Sequence, residues 1–163
     1  MGSMLPVRVL LADDHAVVRA GLRNALANLA GLEIVGEAGN GRELADMVAG
    51  LHPDLLVIDV AMPDFEPVAA VQKIKAGYPA LKILVVSAYD DEAYVVGLLG
   101  AGVDGYHLKD QPLADLQLAT QRILAGGRWI SSPLIDRLVH RRPPLPTPPG
   151  SRRRRASPSR WPA

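Results

Sequence analysis

The chain contains no cysteine. Disulfides and thiolate-held metal centres are therefore excluded, although this alone does not assign a compartment. Long apolar runs are also missing. Hydrophobic residues make up 48% of the sequence, yet no stretch approaches the roughly 18 apolar residues of a membrane-spanning helix. No basic segment followed by an apolar one opens the chain, so no secretory signal is expected, and Met1-Gly2-Ser3 ahead of Met4 reads as a cloning remnant. The expectation is a soluble, cytoplasmic protein without a membrane partner. Acid is absent from residues 140–163, which carry 7 Arg, whereas residues 1–139 hold 11 Lys and Arg against all 17 Asp and Glu. The overall charge of +1 thus hides an acidic body and a basic tail.

What is present is a succession of short apolar runs that end abruptly in polar residues. Val7–Ala12 leads into Asp13-Asp14, Leu55–Ile58 into Asp59, Leu81–Val86 into Ser87, and Gly105–Leu108 into Lys109. Segments of helical period alternate with these runs at roughly 20–25-residue spacing, the pattern of βα units around a parallel sheet. The spacing predicts strands over 7–12, 33–38, 55–60, 82–86 and 106–108. Helices are predicted over about 15–29, 42–49, 67–76, 92–99 and 112–124, the last stopped by Gly126-Gly127. This is an α/β fold, a doubly wound five-stranded parallel sheet flanked by five helices. Parallel strands bring their carboxyl ends to one edge, where such sheets hold their ligands.

Beyond this domain, residues 129–142 read as a linker or an additional helix, with Pro133–Val139 amphipathic. Residues 143–163 are rich in proline and arginine and have the composition of a disordered tail. The run Arg152–Arg155 would attract nucleic acid or an acidic surface, but no aromatics interleave it to stack on bases.

Taken singly, each strand-end residue has a plain alternative. Asp13-Asp14 suits a solvated loop or a helix N-cap, Asp59 and Ser87 suit turns, and Lys109 suits a surface. Their recurrence at equivalent ends of the first, third, fourth and fifth strands points instead to one crevice. Three carboxylates there repel one another unless a cation sits among them, and hard oxygen ligands of this kind suit Mg²⁺. A carboxylate beside such an ion can attack a phosphoryl group, while an ammonium and a hydroxyl neutralise its oxygens.

Two other patterns carry less. Gly100–Gly105 formally matches GxGxxG, but it follows a helical pattern and leads into a strand, the reverse of a dinucleotide site. His15, His52, His107 and His140 show no metal-ligand spacing.

The segments LLADDH, LLVIDVAMPD, VVSAYDD and GYHLKD resemble the receiver domain of bacterial two-component response regulators, most closely the NarL/FixJ (LuxR-type) group. The resemblance covers about residues 7–128, giving a receiver domain over 5–128, and implies a flavodoxin- and CheY-like sheet of strand order 2-1-3-4-5. It implies Asp59 as phosphoacceptor, and Asp14 as a direct ligand of Mg²⁺ with Asp59 and the Ala61 carbonyl. Asp13 would act through water. Ser87 and Lys109 would bind phosphate, with Ser87 and the aromatic Tyr106 acting as the switch. The implied partners are a sensor histidine kinase or histidine phosphotransfer protein, and a second copy of the chain. Such a protein catalyses only its own phosphotransfer and dephosphorylation.

Two departures stand out. Glu66-Pro67 replaces the Asp-Gly common in the loop after the acceptor, which predicts altered loop geometry. No helix-turn-helix pattern follows residue 140, so sequence-specific DNA binding would need an output domain not evident in this chain. A receiver-like module working without phosphorylation is the alternative function. A phosphohydrolase fits less well, because position 61, where it would need a general acid, is alanine.

Overall fold

A computed structural model describes residues 5–140. The expectations for residues 1–4 and for the tail 143–163 lie outside the described residues. Within them the chain alternates β1 (Val7–Ala12), α1 (Ala16–Ala27), β2 (Leu32–Ala38), α2 (Gly41–Leu51), β3 (Leu55–Ile58) and α3 (Pro67–Gly77), followed by β4 (Lys82–Ser87), α4 (Glu92–Ala101), β5 (Gly105–Leu108), α5 (Leu113–Leu124), β6 (Trp129–Ile130) and α6 (Ser132–His140).

All neighbouring strands pair in parallel, in the order β2-β1-β3-β4-β5-β6. The doubly wound sheet of order 2-1-3-4-5 is thus present, with one correction: there are six strands and six helices among the described residues, not five of each. The sixth strand is only two residues long, too short for any hydrophobic period. It forms because Trp129 N–H reaches the Asp104 carbonyl at 3.2 Å and Ser131 N–H reaches the Tyr106 carbonyl at 3.0 Å. The amphipathic piece after it is a helix.

Alternation along the central strands sends successive side chains to opposite faces. Val9, Leu11, Val57 and Leu84 meet α1 and α5 through Leu22, Leu26, Leu116 and Ile123. Leu10, Ile58, Ile83 and Tyr106 meet the other helices through Leu44, Val71, Leu98 and Leu134. Burial on both faces explains why the strands read as continuous apolar runs. Each fully buried leucine contributes roughly 1.5–3 kcal/mol, and Leu134, at 1% exposure, holds α6 on in this way.

Helix ends follow local chemistry. Asn40 accepts from Glu43 N–H at 2.9 Å while the Glu43 carboxylate accepts from Gly39 N–H at 2.8 Å, a reciprocal cap that starts α2. Pro67 occupies the first turn of α3, where no N–H is required. The formal GxGxxG is a helix stop and turn: Gly102, at φ +111°, caps α4, and Gly105 opens β5.

Candidate functional site

The strand-end residues converge at the carboxyl edge of the sheet. Asp13 follows β1 and is fully buried, and Asp59 follows β3 at 4% exposure. Two carboxylates this deep need a counter-charge, and Lys109, which follows β5, supplies it. Its Nζ donates to Asp59 Oδ2 at 2.7 Å and to Asp13 Oδ2 at 3.2 Å. Burial by itself would lower the Lys109 pKa, but the hydrogen bond and charge of Asp59, joined by those of Asp13, outweigh it and the net direction is upward. The ammonium therefore stays charged between the carboxylates.

Asp59 is also aimed by the backbone. Its N–H donates to the Ala12 carbonyl at 2.8 Å, tying it to the end of β1. Its Oδ1 accepts from Ala61 N–H at 3.0 Å. Beside it a cleft of about 410 Å³ opens between the β3–α3 and β4–α4 loops, walled by Ala61, Met62, Phe65, Tyr89 and Tyr94. The Tyr89 and Tyr94 rings meet edge to face with centroids 5.7 Å apart. Burial, followed by the charge of Tyr89 and of Asp59, raises the Tyr94 pKa.

Ser87 closes β4 and is fully buried; its Oγ accepts from Tyr89 N–H at 3.1 Å. Tyr106 lies on β5 with no exposed surface, and its hydroxyl donates to the Tyr89 carbonyl at 2.7 Å. Burial is the main reason that its phenol is pushed up to about 12, with the Ser87 hydroxyl partly opposing the rise. Tyr106 thus stands inside the core.

Asp14 is placed differently. It is exposed, on the loop ahead of α1, and its Oδ1 lies 2.9 Å from His15 Nδ1. His15 also touches Asp13, its N–H donating to Oδ1 at 2.8 Å. The ligand atoms of Asp13, Asp14 and His15 lie within 4.8 Å of one another. The Asp13 and Asp14 carboxylates in this cluster, one of them open to solvent, are hard-oxygen donors of the kind that suits Mg²⁺. The structure thus brings Asp13, Asp59 and Lys109 into direct contact, with Asp14 beside them, and links Ser87 and Tyr106 through Tyr89.

Several participants carry little or no local sequence signal. Arg19 of α1 donates to the Asp13 carbonyl and pairs with Glu37 at 3.0 Å, bracing the β1–α1 loop. Tyr89 is visible only as part of VVSAYDD, because its role is played by its backbone. Ser131 Oγ accepts from Leu108 N–H at 2.9 Å, and nothing in the local sequence marks it.

The response regulator receiver domain family matches residues 9–121. The chain belongs to that family. Curated relatives of this receiver include the response regulator GacA of Pseudomonas viridiflava, 35% identical over 133 residues. Another is the oxygen regulatory protein NreC of Staphylococcus epidermidis, 36% identical over 135 residues. Each match covers 82% of this chain but 62% of the relative, so the receiver spans less than two thirds of their length. Among solved structures, a two-component response regulator of the LuxR family from an Aurantimonas species superimposes with a TM-score of 0.78 at 29% identity, over 82% of this chain and 96% of that one. The isolated receiver domain of RcsB from Salmonella enterica serovar Typhimurium, with the phosphate mimic BeF3−, gives 0.75 at 26% identity, over 82% and 98%. The family is one of signalling proteins, and its relatives here include a transcriptional regulatory protein of Bacillus subtilis. No helix among the described residues is long and apolar enough to cross a membrane.

Proposed function

We propose that this receiver is a phosphorylation-activated switch of a two-component relay, in which Asp59 accepts a phosphoryl group from a sensor histidine kinase or histidine phosphotransfer protein in the cytoplasm. The observation that carries the reading is the 2.7 Å contact of Lys109 Nζ with Asp59 Oδ2 at the strand edge, beside the buried Asp13. An Asp59 oxygen would attack phosphorus as the bond from phosphorus to the donor breaks. Lys109, released from the carboxylates, and Ser87 would then donate to the transferred oxygens, an interaction present in only one of the two states and so able to shift a population. Asp14, Asp59 and the Ala61 carbonyl would hold Mg²⁺, with Asp13 acting through water; the ion would neutralise charge on the phosphoryl oxygens.

The proposed domain arrangement is a receiver over 5–128, extended by β6 and α6 toward whatever follows. Output as transcription control, by a homodimer on DNA, would use a DNA-binding domain of the kind the longer relatives' group carries.

Treatment with acetyl phosphate and Mg²⁺, followed by intact-mass measurement, tests the acceptor. One added phosphoryl group is expected, lost on chelation of the metal and absent in Asp59→Asn. Equal phosphorylation of that variant would refute the assignment.

A further inference from the structure

Helix α6 is fastened to the switch residues at two points. At its start, the nearly buried Ser131 donates its N–H to the Tyr106 carbonyl at 3.0 Å and accepts from Leu108 N–H at 2.9 Å. The Ser131 carbonyl accepts from Leu134 and Ile135, so the same residue begins the helix. One serine therefore joins the backbone on either side of His107, just before Lys109, to the first turn of α6.

The second point is Arg137. Its guanidinium lies 2.7 Å from the Asp90 carboxylate and donates to the Asp90 backbone carbonyl at 3.1 Å. Asp90 sits in the loop between Ser87 and α4, flanked by residues with fixed partners. Tyr89 bonds Ser87 through its N–H and Tyr106 through its carbonyl, while Asp91 caps α4 by accepting from Ala93 N–H at 3.2 Å. An arginine bound to both the backbone and the side chain of one residue depends on that residue's backbone orientation.

We infer that α6 is a latch on the phosphorylation switch, closed by Arg137 on Asp90 and opened when Ser87 turns to a phosphoryl oxygen on Asp59. The inference rests on phosphorylation at Asp59 as proposed above. Ser87 Oγ at present accepts from Tyr89, so redirecting it shifts the backbone that presents Asp90. Once the Asp90 carbonyl turns away from Arg137, only a half-exposed ion pair would remain, and such pairs hold weakly. Opening would free the end of α6. Coupling of this kind is reciprocal: whatever opens the latch also favours the loaded site.

Hydrogen exchange on the full 163-residue chain, with Mg²⁺ and with or without BeF3−, tests the latch. Loading should speed exchange at the end of α6, Leu138–His140, by about two- to tenfold, the scale of one net hydrogen bond. Arg137→Ala, and the isosteric Asp90→Asn, should show fast exchange there without BeF3− and gain little on loading. Both should bind BeF3− about two- to fivefold more tightly than the parent, with melting curves reporting that they fold. If BeF3− binds the parent and α6 exchange stays unchanged or slows, the latch is refuted while the phosphorylation reading stands. If BeF3− does not bind at all, that reading fails and the latch fails with it.

Discussion

The Tyr106 hydroxyl donates a 2.7 Å hydrogen bond to the Tyr89 carbonyl from a position with no exposed surface. One phenol therefore ties the last long strand of the core to the loop that follows Ser87. Buried hydroxyls need such a partner, and here the partner is backbone, which leaves the Tyr89 ring to line the cleft.

A pH dependence follows from the raised Tyr106 pKa. The unfolded phenol ionises near 10, whereas the folded one holds its proton to about 12. The folded state binds more protons in that interval, so this stabilisation is complete below pH 10 and is lost as pH rises to 12. Urea unfolding across the interval should show a loss on the order of 2–3 kcal/mol in the parent beyond that in Tyr106→Phe. Identical pH slopes would refute the assignment.

His107 acts at the other end of the scale. Burial, the main cause, lowers its pKa, with the charges of Asp115 and Asp110 opposing. The neutral ring is favoured in the folded state, so its contribution is present above about pH 6.5 and is lost as pH falls through the depressed folded value. Stability should therefore fall more steeply below about pH 6.5 in the parent than in His107→Gln, as measured by urea titration.

Asp13 and Asp14 should differ in their effect on metal binding. Asp13 already bonds Lys109 and the His15 backbone, whereas Asp14 is exposed with His15 as its ring partner. Asp14→Ala should weaken Mg²⁺ binding more than Asp13→Ala, followed by NMR shifts or by Trp and Tyr fluorescence. Affinities equal to the parent in both variants would refute a metal held by these carboxylates.

Gly41 should not tolerate a side chain. A Cβ there would lie 1.8 Å from the Asp64 carbonyl oxygen, and Gly41 N–H already donates to the Pro63 carbonyl at 2.9 Å. Gly41→Ala must therefore push the β3–α3 loop away from α2. Urea unfolding should show a loss of roughly 1–3 kcal/mol, with amide shifts centred on Pro63 to Glu66.

Much of this arrangement is legible in the residue pattern. The apolar runs ending at Ala12, Ile58 and Val86 are visible because both sheet faces are covered, so strand residues stay apolar until the chain leaves the core; β3 stops at Ile58, short of the expected 55–60 span, and β4 runs one residue further, to Ser87. That same rule puts Asp13, Asp59, Ser87 and Lys109 at one edge. The sixth strand is not legible, since Trp129-Ile130 is too short for a period and exists only through its pairing with β5. At Glu66-Pro67 the proline takes the first turn of α3, where no donor is needed, and the preceding loop holds Asp64 at φ +56°.

The sequence alone determined the βα alternation, the family and the set of polar residues at the strand ends, because these depend on short continuous apolar runs, on period 3.6 and on the order of motifs along the chain. Only the tertiary structure decided which of them touch. That Lys109 joins Asp13 to Asp59, that Tyr106 lies inside on the Tyr89 carbonyl, and that Arg137 reaches Asp90 are contacts across 96, 50, 17 and 47 residues. Each depends on how the helices settle on the sheet, and many of the bonds are made by backbone groups that every residue carries, so no local pattern encodes them.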